Sequence, residues 1–392
     1  MDAANTDRLV IVGGGPAALS AARGYRACGG AGEIRLISDD RARPYDRPPL
    51  SKEYLRGETT AESLPMEPAE FYDEQRVTVD LDRTVATIHP GDRYVVLGDG
   101  ERLDYRTCVL ATGAAPRRLP VPGADHPGVL VLRSLDDARA LRAAAGRAGT
   151  AVIIGSGFIG CEAAASLAGR GLRVTVVSSE EVPHAARLGP EVGRRIAGWL
   201  REQGVDVIGG AEVIAVADGR RVELDGRPPV AADLILMATG VSPRTEPAAT
   251  AGIVLRDGRI PVDERMRTQV PGILAAGDVT LARNAAAGRH LAVEHWGEAV
   301  AMGEIAGVTA AGGGARWDRA PGFWSTIGHR TCKYAAWGDG FDTVRVAEHG
   351  DGAFTAWYGR EGVTVGVLTH GADDDYDRGR ALVERHAPLP RR

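Results

Sequence analysis

The fold turns on the stretch Arg8-Leu9-Val10-Ile11-Val12-Gly13-Gly14-Gly15-Pro16-Ala17-Ala18. An apolar run of strand length enters three glycines and continues into an alanine-rich segment, to Ala27, of helical composition. Ile34-Arg35-Leu36-Ile37 follows as a second strand and ends in Ser38-Asp39-Asp40. A diphosphate must approach bare backbone amides at a helix start, so such a turn requires residues with little or no side chain. Gly13, Gly15 and Ala18 meet that need, and Asp40 or its neighbour Asp39 is placed to bind ribose hydroxyls.

Reading outward, the same pattern returns at Ala151-Val152-Ile153-Ile154, followed by Gly155-Ser156-Gly157-Phe158-Ile159-Gly160, a helix to about Gly169 and a strand over residues 173–177. Two units of this kind imply a duplicated architecture with two dinucleotide sites, the second built on Gly155, Gly157 and Gly160. Where an acid for the second ribose is expected, Ser178 and Ser179 stand instead, and Glu180 comes late. An acid there repels a 2′-phosphate, so this ending leaves NADPH open beside NADH. Each half also carries a strand running into Ala-Thr-Gly: residues 105–110 into Ala111-Thr112-Gly113, and residues 234–237 into Ala238-Thr239-Gly240.

The bulk properties narrow the class. A chain of 392 residues holds two or three domains, each with a core of its own. Hydrophobic content of 44%, charged content of 25% and a net charge of -5 are ordinary for a globular protein and give no nucleic-acid footprint. No apolar run reaches the ~18 residues needed to cross a bilayer. The start MDAANTDRLV lacks a basic region before a long apolar stretch, so the expected location is cytoplasmic, without membrane attachment. Cys28, Cys108, Cys161 and Cys332 are too far apart for a Cys-x-x-Cys pair or a metal site, and each is expected as a small buried hydrophobe. Lysine occurs only at Lys52 and Lys333 among 47 basic residues, which marks positions where a compact ammonium serves better than a planar guanidinium.

Tyr45-Asp46-Arg47-Pro48-Pro49-Leu50-Ser51-Lys52, together with Ala111-Thr112-Gly113, Ile273-Leu274-Ala275-Ala276-Gly277-Asp278 and Val293-Glu294-His295-Trp296, resembles the FAD-dependent ferredoxin reductases of bacterial oxygenase systems, relatives of the apoptosis-inducing flavoproteins. The resemblance implies an α/β fold. An FAD domain spans 1–118 and 246–316, an NAD(P)H domain 119–245, and a small β-rich α+β domain 317–392. It implies hydride transfer from NADH or NADPH to FAD, then single electrons to a ferredoxin-type iron–sulfur protein, with no metal in the chain itself. By the same resemblance Lys52 lies beside the flavin, and Glu162 pairs with it and touches the nicotinamide amide. Thr112, Gly113, Gly240, Gly277 and Asp278 belong to the nucleotide sites, with Asp278 on the ribityl chain. Arg47 and Arg117 meet FAD phosphates, Val85 lies against adenine, and His295 and Trp296 border the isoalloxazine.

The pattern departs from the family after Phe323-Trp324-Ser325, where an Asp-Gln-Tyr type segment is replaced by Thr326-Ile327-Gly328-His329-Arg330. That leaves three readings: a ferredoxin reductase, an NAD(P)H oxidase or a reductase of a quinone or other small molecule, and a flavoprotein acting mainly through a protein partner. His329, Arg330 and Lys333, with Arg316 and Arg319, form either a basic face for an acidic partner or a solvated cationic surface. Trp337-Gly338-Asp339-Gly340 reads as a hairpin turn, and Asp373-Asp374-Asp375 as an exposed turn.

Overall fold

In the computed structural model, which describes residues 7–390, the chain divides into two packed units. Residues 1–6, part of the start read above for a targeting segment, lie outside the described residues. The first unit comprises Met1–Asp46, Pro65–Ala115 and Pro243–Phe323; the second comprises Arg47–Leu64, Pro116–Ser242 and Trp324–Arg392.

The first unit is built on five parallel strands in the order Ile273–Ala275, Thr107–Leu110, Leu9–Val12, Ile34–Ile37, Val77–Asp80. Leu9–Val12 is central and buried along its whole length, as a parallel strand covered on both faces must be. Each fully buried Leu or Ile there contributes about 1.5–3 kcal/mol. The helix Pro16–Ala27 returns over the sheet and packs against Trp296–Ala310. Alanine and glycine dominate both helices because the backbones nearly touch: a Cβ on Gly303 would stand 2.2 Å from the Ala17 carbonyl oxygen.

The second unit repeats the plan. Its parallel sheet runs Val205–Ile208, Arg173–Val177, Thr150–Ile154, Leu234–Met237, Val129–Leu130. In both units a three-stranded antiparallel sheet precedes the strand that enters Ala-Thr-Gly: Val85–His89, Tyr94–Leu97 and Arg102–Asp104 in the first, Val213–Ala217, Arg221–Leu224 and Arg227–Ala231 in the second. The duplication read from the glycine turns therefore extends to four strands of each parallel sheet and to the antiparallel insert; the fifth strand comes late in the chain in the first unit, Ile273–Ala275, and early in the second, Val129–Leu130.

From Trp324 the second unit adds a mostly antiparallel sheet in the order Gly322–Ile327, Arg330–Ala336, Val363–His370, Ala353–Arg360, Thr343–Gly350, covered by the helix Asp373–Glu384. Two of its hairpins turn on left-handed pairs, Asp351 with Gly352 and Glu361 with Gly362. Trp337 to Gly340 is not a hairpin turn. It carries the chain from the interior strand Arg330–Ala336 to the far edge strand, because the buried Trp337 indole donates to the Val383 carbonyl (3.2 Å) and draws the chain off the sheet. Asp373, Asp374 and Asp375 are likewise the first turn of a helix, where acids meet its positive end, and Asp375 accepts the Thr355 hydroxyl at 2.7 Å. Among the described residues no helix is long and apolar enough to cross a membrane.

Candidate functional site

In the first unit the glycine turn places Gly13 at φ +131°, and a Cβ there would stand 2.1 Å from the Ala111 carbonyl oxygen. That contact seats the Ala-Thr-Gly segment against the turn. Gly14 is required too, because its Cβ would meet Ser38 Oγ at 2.1 Å. Gly15 faces open space, since a Cβ added there would have no atom within 4 Å, and it caps the helix Pro16–Ala27 with no side-chain hydrogen bond to the first turn. Ala18 is fully buried one turn in. Uncapped amide donors in front of open space fit a diphosphate.

The second unit reproduces this geometry. Gly155, at φ +106°, would place a Cβ 2.4 Å from the Ala238 carbonyl oxygen, Gly157 opens onto space, and the helix Phe158–Gly169 has no side-chain cap. A Cβ on Gly160 would meet the Gly155 carbonyl oxygen at 2.2 Å. Ser156 occupies the place of Gly14, and its hydroxyl bonds Ser178 Oγ at 2.7 Å.

The correspondence extends to the residues that follow each second strand. Ser38 Oγ accepts the Asp40 amide at 3.1 Å, and Ser178 Oγ accepts the Glu180 amide at 3.2 Å. Glu180 is thus the counterpart of Asp40, and the exposed Ser179 is the counterpart of Asp39. Asp40 accepts the Tyr45 hydroxyl (2.8 Å) and the Ala42 amide (3.1 Å), while Asp39 is paired with Arg244 at 2.6 Å. Glu180 accepts the Ala186 amide at 2.8 Å.

Elsewhere in the first unit, Thr112 Oγ1 donates to the Arg244 carbonyl at 2.6 Å, and Gly113 accepts the Arg244 amide at 3.0 Å. Gly277, at φ +81°, packs on Ala17 and Ala299, and the next residue, Asp278, is buried. Val85 is buried at the start of its strand. His295 precedes the helix that Trp296 opens, and its ring lies 4.5 Å from Phe323.

In the second unit, Lys52 and Glu162 form a buried ion pair, with Nζ 3.0 Å from Oε2. The same oxygen accepts Ser51 Oγ at 2.5 Å, while Oε1 accepts Ser325 Oγ at 2.7 Å and the Thr326 amide at 3.2 Å. A carboxylate offers about four acceptor positions, and here four donors take them. Lys52 and Ser51 are brought to this helix because Ser166, one turn beyond Glu162, donates to the Ser51 carbonyl at 2.7 Å. Arg47 donates to the Arg133 carbonyl at 3.0 Å; the exposed Arg117 donates to the Thr239 carbonyl at 2.9 Å, and its amide bonds the carbonyl of Gly240.

Burial and the nearby Arg187 push the His184 imidazole down to about 3, and its ring lies 3.9 Å from that of Phe158, the first helical residue after Gly157. The four cysteines are unpaired; Cys108, Cys161 and Cys332 are buried, whereas Cys28, expected inside, is exposed at the end of its helix. Burial raises the Cys332 thiol to about 12. Arg330 is bonded to Glu202 (2.8 Å) and Lys333 to Asp373 (2.7 Å), so these two cations do not present unbalanced charge.

Residues 7–303 match the family described as pyridine nucleotide-disulphide oxidoreductase. The chain belongs to this family. Among curated relatives, the rubredoxin–NAD(+) reductase of Pseudomonas putida is 34% identical over 81% of this chain and 84% of its own length. A ferredoxin–NAD(P)(+) reductase of a Sphingomonas species is 33% identical over 97% of this chain and 93% of its own. Among solved structures, putidaredoxin reductase in its covalent complex with putidaredoxin superposes with a TM-score of 0.92 at 30% identity, over 97% of this chain and 94% of that one. Membership gives the oxidoreductase class; the isolated cysteines show that this chain has no disulfide pair among the described residues.

Several of the residues that hold this geometry were not legible in the sequence. Ser51 and Ser325 stand inside segments singled out for neighbouring residues, and their signal was adjacency to Lys52 and Trp324. Gly14 and Ser38 were legible only as a matched pair, and Arg244 carried no signal at all.

Proposed function

We propose that the chain is an FAD-dependent oxidoreductase that takes hydride from NADH and delivers electrons to a ferredoxin-type iron–sulfur protein, in the cytoplasm. The observation that carries the reading is one geometry built twice: a glycine turn against an Ala-Thr-Gly carbonyl, opening on an uncapped helix. We assign FAD to 1–118 and 246–316, the nicotinamide nucleotide to 119–245, and a terminal domain to 317–392.

Gly13, Gly15 and Ala18 would hold the FAD diphosphate, with Asp39 or Asp40 at the ribose, Val85 at adenine, and Thr112, Gly113, Gly277 and Asp278 along the nucleotide. Arg47 and Arg117 are assigned to phosphate, and His295 and Trp296 to the ring system. When bound, FAD accepts a hydride and releases electrons singly. Lys52 supplies a fixed positive charge for that chemistry, and Glu162 determines where the charge stands.

Gly155, Gly157 and Gly160 would hold the second diphosphate, with Ser178, Ser179 and Gly240 beside it. NADH is favoured over NADPH because Glu180 stands where Asp40 stands in the first unit, and a carboxylate there repels a 2′-phosphate. Arg227, beside this loop, is committed to the Gly209 and Gly210 carbonyls.

The names of the relatives support an iron–sulfur or rubredoxin-type acceptor. Cytochrome c reduction that rises with added ferredoxin tests this; equal turnover with quinone or oxygen alone would favour a small acceptor.

A further inference from the structure

We propose that Ser51 and Ser325 are positioning residues that act through Glu162 to aim the Lys52 ammonium; this rests on the function proposed above. A buried lysine–glutamate pair satisfies its charges with two groups. Here the carboxylate is held by three further donors, and none of them is charged. Lys52 has a flexible four-carbon stem, so the place of its ammonium depends on where its partner carboxylate is held. Ser51 at one oxygen and Ser325 at the other fix Glu162 from both sides, so that the carboxylate has one orientation and Lys52 has one place to point.

Both serines are themselves held. Ser51 and Ser325 are 5% and 1% exposed, so neither hydroxyl is free to turn to water. The Ser166 hydroxyl ties the Ser51 carbonyl to the helix that carries Glu162. Thr326, next to Ser325, bonds Thr331 across the hairpin at 2.9 Å, which keeps the strand Gly322–Ile327 from sliding along the carboxylate. The helix Phe158–Gly169 is thus gripped by a segment near the start of the chain and by the terminal sheet, and the ion pair is their common point.

A merely structural serine lowers stability and leaves the reaction of the folded protein intact. A positioning serine loses rate through Lys52 and through nothing else. The experiment is anaerobic stopped-flow bleaching of the flavin absorbance by NADH in the native protein, Ser325→Ala, Ser51→Ala, Ser325→Thr, Lys52→Ala and the Lys52→Ala/Ser325→Ala double variant. Either alanine variant is expected to lower the limiting rate about ten-fold while the NADH dissociation constant moves less than about two-fold. Ser325→Thr, which keeps the hydroxyl, restores the rate. On the Lys52→Ala background, removing Ser325 adds less than about two-fold, since the residue it aims is gone. An unchanged limiting rate in both alanine variants, or a Ser325→Ala loss repeated in full without Lys52, overturns the proposal; should Ser325→Ala not fold, Ser51→Ala carries the same test. A yellow native protein that NADH does not bleach defeats the functional reading itself, an outcome separate from any serine effect.

Discussion

Gly155 and Ala238 lie so close that a single added Cβ would stand 2.4 Å from the Ala238 carbonyl oxygen, as Gly13 and Ala111 do at 2.1 Å in the first unit. The two contacts separate the nucleotides experimentally. Gly155→Ala meets both that oxygen and a left-handed φ of +106°, so NADH affinity is expected to fall at least about ten-fold while FAD content stays at the native level. Gly13→Ala should reverse the pattern and yield protein depleted of FAD. Isothermal titration with NADH and the absorbance ratio of flavin to protein check both; loss of FAD in Gly155→Ala would contradict the assignment.

Lys52→Ala removes the ammonium and leaves Glu162 buried with three neutral donors. Bleaching by NADH should slow on the order of 100-fold with FAD retained. An unaltered rate in stopped flow removes Lys52 from the mechanism.

Glu180→Ala takes away the carboxylate matched to Asp40. The ratio of kcat/KM for NADH over NADPH should then fall by about ten-fold or more, mainly by a gain for NADPH. Steady-state comparison of the two nucleotides decides it, and an unchanged ratio refutes the role given to Glu180.

Much of the fold was legible in the sequence because glycine turns and apolar strands are local signals. Residues 8–18 and 151–160 announced both parallel sheets, and the structure keeps their strands within a residue or two. The Lys52–Glu162 pair was expected through resemblance alone, since nothing local joins residues so far apart. The other donors to Glu162 were missed for the same reason: a serine hydroxyl has no sequence signature until its acceptor is placed. Trp337 to Gly340 misled because Gly-Asp-Gly suits any tight bend, and only the indole bond to Val383 shows which way the chain goes. The match of Glu180 to Asp40 was obscured by spacing, since it shows only when Ser178 is matched to Ser38.

His184 gives a pH prediction. Its folded-state value lies near 3, below the ordinary 6.5, so the unfolded chain takes up a proton first as pH falls. Stability is therefore full above about pH 6.5 and declines toward pH 3 at up to ~1.4 kcal/mol per unit. His184→Asn, which tolerates the left-handed φ of 60°, should flatten the fall of Tm between about pH 7 and 5. Parallel Tm profiles for the two proteins would contradict this origin.

On the function proposed above, one chain binds FAD and a nicotinamide nucleotide in two copies of one turn and passes hydride from the nicotinamide to the flavin. Anaerobic titration of the purified protein with NADH, followed at the flavin absorbance, is the decisive measurement. The expected result is a yellow protein that bleaches as NADH is added and regains colour with an oxidised ferredoxin. A protein that stays colourless after incubation with FAD, or a yellow one that neither NADH nor NADPH bleaches, would contradict it.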